Sequence, residues 1–266
     1  MGLMEDIFEI ILRSVVVQLV DSKEKDVTKT NELLLFTFLL LNSHSKYKNQ
    51  KIPQINVVWD FENLSLGMGF DLVQFKKRLE KVLTNNKIIE TIEEEDLSIT
   101  LYSNTDRMTD EMADGINYVP TPHGKDETDY DIMKAIILWQ YKVLWGERKI
   151  GAPWKILKYW ATSKVIDKLV VQNDHHLVLI GEDKKFKNVI EHMRKLGFIT
   201  TVVCPNGAGQ IKKEANYQIN WKLMSAKETN EDDIIAVKNV FPEVSPNYKQ
   251  KYVSKSLLLF ILLIII

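Results

Sequence analysis

From Gln54 onward the sequence predicts an α/β domain built on a mostly parallel sheet flanked by helices. Three observations carry that expectation. Short β-rich runs alternate with stretches of helical spacing, the βαβα order in which crossover helices join parallel strands. Leu177-Val178-Leu179-Ile180 is apolar without a break, as a strand covered on both faces should be. The alternation runs from 54 to 224, a length normal for one domain.

The elements follow in order. Ile55-Asn56-Val57-Val58-Trp59 is the first strand and ends at Asp60. Residues 71–85 have helical spacing, with Phe70, Val73, Phe75, Leu79, Val82 and Leu83 available for a buried stripe. Residues 97–102 and the shorter 116–119 read as strands. Thr128 is placed to cap a helix from Asp129 to about Trp145. Trp154 and Trp160 fall in a helical insertion expected at about 146–173. After the apolar strand, residues 185–196 are expected to be a helix stopped by Gly197. Residues 198–204 form the next strand, which ends in Pro205-Asn206-Gly207, and a helix follows towards Ala215 or Met224. The acidic stretch 227–233, with Pro242 and Pro246 beyond it, reads as part of a linker over 225–256.

The ends differ from the middle. Residues 1–50 hold apolar runs at 7–20 and 33–41 and read as peripheral N-terminal helices. Neither run makes a signal peptide, because Glu5 and Asp6 stand where a basic segment belongs and no small-residue cleavage site follows. Asp6 also stands where a myristoylation motif wants Ser or Thr. Residues 257–266 are an unbroken hydrophobic C-terminal tail. As a helix it would reach about 15 Å, half of a bilayer's hydrocarbon thickness, so it does not span alone. It reads as a truncated tail anchor, a hydrophobic strand or a translated non-coding segment; the last is preferred because no polar residue follows. Membrane association is expected only if the tail is real.

Charge and cysteine content exclude several classes. Thirty-five basic residues against 36 acidic ones give a net charge of -1, so the chain does not coat nucleic acid by bulk charge. Any polyanion must be held by a local patch. Cys204 is the only cysteine, which excludes a disulfide framework and a cysteine-based zinc site and makes a reducing compartment the default.

Ligands of an open parallel sheet bind at the carboxyl ends of its strands. Asp60 follows the first strand, Glu182 and Asp183 follow the apolar strand, and Asp126, Asp129 and Asp131 begin the long helix that enters from the same edge. Carboxylates from three distant segments therefore converge on one rim, where their repulsion calls for a cation. Hard oxygen ligands suit Mg²⁺ or Mn²⁺, ions that activate water for phosphodiester hydrolysis. Singly, each Asp is as well explained as a helix cap or a partner of a helix dipole.

Four stretches, in this order, resemble the NYN domain of the PIN-like nuclease superfamily, closest to its limkain or meiosis-arrest-female type and the plant relatives. Val57-Val58-Trp59-Asp60-Phe61-Glu62-Asn63 is similar to the family's opening strand with its D-x-E-N ending. Gly124-Lys125-Asp126-Glu127-Thr128-Asp129, with Trp139 beyond, looks like the G-K-D-x-x-D helix start. Leu179 to Phe186 resembles the strand that ends S-G-D-x-D-F, and Gly197-Phe198 to Pro205, then Ala215 and Trp221, resembles the closing strand and helix. The resemblance covers about 54–224. It implies a PIN-like Rossmannoid sheet and a metal-dependent ribonuclease site. Asp60, Asp129 and Asp183 would be the catalytic, metal-binding carboxylates for Mg²⁺ or Mn²⁺, and Asn63, Lys125 and Lys185 would bind substrate. Two acidic ligands of the family pattern are replaced, by Ala135 and Lys185, and Glu182 stands at a usual glycine. A Lys185 ammonium could take the place of a second metal and still hold a phosphate. Asp131, two residues from Asp129 on a helix, should point elsewhere.

Other features carry bland readings. His175-His176 read as polar residues of a loop, since neighbours in an extended chain face opposite ways and do not share one zinc ion. The runs Lys76-Lys77-Arg78, Lys184-Lys185-Lys187 and Lys212-Lys213 are candidates for an RNA-backbone patch but read by default as solvated faces. Tyr118, Tyr130 and Trp139 are stacking candidates, although Trp139 has the spacing of a core residue. Gly207-Ala208-Gly209 carries no functional weight.

The expectation is therefore a metal-dependent endoribonuclease acting in RNA turnover or post-transcriptional regulation of gene expression. The alternative is a catalytically weakened domain that binds RNA or serves as a scaffold. The partners expected are single-stranded or structured RNA and proteins of RNA silencing or decay. The location expected is cytoplasmic, with a peroxisomal association implied only by the resemblance.

Overall fold

The computed structural model describes residues 52–66, 71–93, 96–104, 116–121, 127–141, 143 and 174–242. The expected N-terminal helices, the insertion at about 146–173 and the tail at 257–266 lie outside them. A seven-stranded sheet organises the described chain. Its strands are β1 (Ile55–Asp60), β2 (Leu97–Ser103), β3 (Ile116–Pro120), β4 (His176–Ile180), β5 (Ile199–Cys204), β6 (Tyr217–Asn220) and β7 (Val237–Lys238), in the order β3-β2-β1-β4-β5-β6-β7. Every pairing is parallel except that of β6 with β7.

Alternate residues of a strand face opposite sides of the sheet, and each side here carries its own apolar cluster. Ile55, Val57, Trp59, Val178 and Ile180 pack with Phe75, Leu79, Val82 and Leu83 of helix α1 (Leu72–Asn85). Val58, Leu177 and Leu179 pack with Ile132, Ile136 and Ile137 of α2 (Glu127–Tyr141) and with Val189, Ile190 and Met193 of α3 (Lys187–Lys195). The sheet is thus covered on both faces, which explains why β1 and β4 are buried along their full length. None of the described helices is long and apolar enough to cross a membrane.

Local chemistry sets the element ends. Asp71 caps α1 by accepting a 2.7 Å hydrogen bond from the Gln74 amide. Gly197, at φ 96°, turns the chain after α3. A 3₁₀ turn, Lys184–Phe186, precedes α3, so the helix expected from 185 is regular only from 187.

Several expectations are corrected. Val73 is 43% exposed; Lys76 and Arg78 are buried in its stead. Thr128 lies inside the first turn of α2 and bonds side chains; the helix end expected near 145 lies outside the described residues. No single helix follows β5: the chain makes the short helices α4 (Gly209–Lys212) and α5 (Trp221–Ser225) with β6 between them. The stretch expected to begin a linker folds back on the domain. Ile234 is buried, β7 pairs with β6, and the Asn86 side chain donates to the Ile234 carbonyl and accepts from the Ala236 amide.

Candidate functional site

The strand order reverses at β1. The chain steps outward through β2 and β3, then starts again on the other side of β1 with β4, β5 and β6. In such a sheet the crevice opens at the carboxyl ends of the two strands flanking the reversal. Asp60 is the last residue of β1, and Trp59 pairs with Ile180, the last residue of β4. The segment Gly181-Glu182-Asp183 therefore emerges beside Asp60.

Asp60 shares the parity of Val58, so its side chain points to the face that α2 covers. It is fully buried. Its Oδ2 accepts from Asn63 Nδ2 at 2.7 Å and its Oδ1 from the Asn63 amide at 3.3 Å, closing the turn after the strand. Burial pushes its pKa up to about 6, against the lowering effect of both Asn63 bonds; the charges of Asp129 and Glu62 push the same way. Gly181 permits this crowding. A Cβ there would lie 3.3 Å from the Phe186 ring and 3.5 Å from Asp60 Cβ.

Asp129, in the first turn of α2, is almost completely buried and accepts a 2.9 Å bond from Lys185 Nζ. Asp183 Oδ1 caps the 3₁₀ turn by accepting from the Lys185 amide at 2.8 Å, and its Oδ2 stands 4.0 Å from the same ammonium. Lys185 thus bridges the start of α2 and the loop after β4. Four of the sequence-derived residues, Asp60, Asn63, Asp129 and Asp183, meet at one rim with Lys185. Lys125 lies outside the described residues. Ala135 faces the apolar cluster beneath α2. Asp131, half-buried, adds to burial in holding the Tyr102 phenol above its usual range.

Glu62 has a role that the sequence did not reveal. Its Oε2 accepts from Thr128 Oγ1 at 2.9 Å, Thr128 Oγ1 lies 2.8 Å from Thr121 Oγ1, and Oε1 accepts from Asn104 Nδ2 at 2.9 Å. It ties the turn after β1 to the chain beyond β2 and β3 and to the start of α2. Its place two residues after Asp60 was the available signal, since that spacing sets both on the one turn.

The other sequence candidates resolve differently. His175 and His176 are buried, not in an open loop. His176 belongs to β4, its Nε2 lies 2.8 Å from Thr201 Oγ1, and burial holds its pKa down at about 3, so the ring is neutral. Tyr130 and Trp139 are core residues, and Trp139 Nε1 donates to the Pro53 carbonyl at 3.2 Å. Tyr118 is half-buried and donates to the Ser103 carbonyl.

The donor set bears on a metal. Among the described residues no three His, Cys, Asp or Glu side chains are gathered to hold an ion. Asp183 is turned to its cap and to Lys185. Mg²⁺, however, commonly takes only one or two carboxylates and completes its shell with water and phosphate oxygens. Asp60 and Asp129 repel each other enough to add to the pKa shift of Asp60, and two such oxygen donors fit a hard cation. The rim as a whole carries Asp60, Glu62, Asp129, Glu182 and Asp183 against Lys184 and Lys185, an excess of negative charge that a divalent ion would offset.

An open cleft of about 460 Å³ adjoins the rim. Asn63 and Glu182 to Lys184 form one wall, and the segment 207–211 forms the other. No family model, curated protein or solved structure matches the chain.

Proposed function

We propose that the chain is a PIN-like protein of the NYN type that cleaves RNA with the help of a divalent cation, in RNA turnover or post-transcriptional regulation. One observation carries this reading: Asp60 and Asp129, from two distant segments, stand close enough at the reversal point of a parallel sheet for the charge of Asp129 to add to the raised pKa of Asp60, and Lys185 joins Asp183 to them. Asp60 is fully buried with its pKa raised to about 6, the kind of perturbed carboxylate that functional sites collect, and this supports the reading.

Asp60 and Asp129 would hold one Mg²⁺ or Mn²⁺ ion. Bound there, the ion would supply Lewis-acid stabilisation of the phosphate and lower the pKa of a water. The protein's own groups do the rest. Asn63 fixes both oxygens of Asp60 and so sets the direction of its lone pairs. Glu62, through Thr128, holds the first turn of α2 against the strand ends and keeps Asp129 in register with Asp60. Lys185 supplies a positive charge where a second cation would otherwise be needed, and its ammonium can pass from Asp129 to a phosphate oxygen when RNA enters.

A second reading is favoured by the Lys185–Asp129 ion pair at 2.9 Å. An ammonium resident between two of the three carboxylates competes with metal, and the protein would then bind RNA without cutting it. Cleavage of a labelled single-stranded RNA by the full chain, in Mg²⁺, Mn²⁺ or EDTA, separates the two. Metal-dependent cutting that Asp60→Asn abolishes supports the nuclease. Binding without cutting supports the second reading, and neither binding nor cutting sinks both.

A further inference from the structure

The cleft beside the rim has a composition that the cleavage chemistry does not use. Ala208 and Ile211 line it where it meets the core, Ala208 half-buried and Ile211 fully buried. Its walls carry three exposed polar side chains, Glu182, Lys184 and Gln210. Gly207 and Gly209 leave the second wall bare, and a Cβ added at either would meet no atom within 4 Å. Neither takes the positive φ seen at Gly197, so their bareness is not a demand of the backbone. A cleft with one bare wall, Ala208 at its base and a few polar groups at its edge suits a flat heterocycle.

We infer that this cleft takes one nucleobase of the RNA strand whose phosphodiester lies at the rim, and that it prefers guanine. The inference rests on the RNA reading above. The cleft and the rim share Asp183 and Asn63, so a base seated there belongs to a nucleotide next to the bound phosphate. Guanine offers adjacent N1–H and N2–H donors, which match a carboxylate that only accepts, and O6 and N7 acceptors, which match an ammonium that only donates. Glu182 and Lys184 supply that pair, and Gln210 can do either. Uracil offers one donor and no amino group, so it leaves part of the Glu182 carboxylate unpaired.

The test is fluorescence anisotropy of the full chain with two single-stranded octamers, one all uridine and one with a single central guanosine. Binding is measured in EDTA and again in Ca²⁺. The guanosine octamer should bind at least about fivefold tighter, the low end of the discrimination given by a bidentate base contact. Glu182→Gln should bring that ratio close to one. Gly207→Leu, which grows into open space, should do the same by filling the cleft. Equal binding of the two octamers by the wild-type chain, or an unchanged ratio in both variants, overturns the base subsite and leaves the RNA reading standing. Binding of neither octamer under either condition overturns the RNA reading and the subsite with it.

Discussion

Arg78 and Lys185 are both basic residues drawn into the molecule, from runs that look alike, and they are used in opposite ways. Arg78 is 5% exposed, and its fork is filled by main chain. Nη1 donates to the Met224 and Ala226 carbonyls, Nη2 to those of Lys227 and Thr229, and Nε to Glu231 at 3.5 Å. Those bonds use every donor a guanidinium has. Lys185 is more open and meets carboxylates, Asp129 at 2.9 Å and Asp183 at 4.0 Å, beside a third, Asp60, that is buried and short of positive charge. One cation closes a structural account, and the other sits in a site whose charges do not balance. The difference separates a buried charge met by main-chain carbonyls from one met by carboxylates at the strand ends.

The largest effect should come from the closed account. Arg78→Ala strips the donors from four carbonyls and should cost about 3 kcal/mol or more in urea unfolding. Arg78→Lys should recover only part, because an ammonium does not reproduce the fork. Limited proteolysis should find new cuts in 226–242 in both variants. RNA binding by the fraction still folded should be unchanged. A loss of binding without a loss of stability would place Arg78 in the functional site and erase the contrast with Lys185.

The open site should behave the other way, with stability gained on substitution. Asp60 has a folded pKa of about 6 against an ordinary value near 4, so the folded state holds the proton more tightly than the unfolded chain. Its penalty is absent below the unfolded value, grows as pH rises between the two, and is complete above pH 6. Asp60→Asn, which can still accept a bond from Asn63, should therefore raise Tm at pH 7.5, by an amount worth about 2 kcal/mol. At pH 4 the two proteins should melt nearly together. Mg²⁺ should raise the wild-type Tm at pH 7.5 and leave the variant's in place. Equal Tm differences at both pH values would mean that the carboxylate is not destabilised by its surroundings.

This contrast also marks what was legible beforehand. Asp60 and Asp183 could be placed because strand ends can be read from apolar runs, and β1 and β4 are buried throughout. Their meeting follows from the rule for parallel sheets. Arg78 could not be placed, because its partners lie 146 to 153 residues further on and nothing local announces them. The strands β6 and β7 escaped for a related reason. Tyr217–Asn220 has only Ile219 fully inside and Val237–Lys238 is exposed, so neither leaves a period to detect. The cleft went unseen because its two walls come from separate segments, and glycines with no strain of their own mark it only in three dimensions.

The smallest expected effect sharpens the role of Lys185 most. If its ammonium stands where a second cation would sit, replacing it with a carboxylate should turn an ion pair into a ligand. Lys185→Asp removes the partner of the nearly buried Asp129 and sets a third carboxylate beside it and Asp183, so without metal the variant should be less stable than the wild type. Mn²⁺ should restore that loss, because a three-carboxylate set now surrounds one position and metal binding adds to the folded state's stability. Counting bound Mn²⁺ by electron paramagnetic resonance should give one more ion per chain than in the wild type, or the same number held at least about tenfold tighter, equivalent to about 1.4 kcal/mol. RNA cleavage should rise with it. If Mn²⁺ binding is unchanged while stability falls, Lys185 is a structural pair like Arg78, and the two basic runs differ in strength and not in kind.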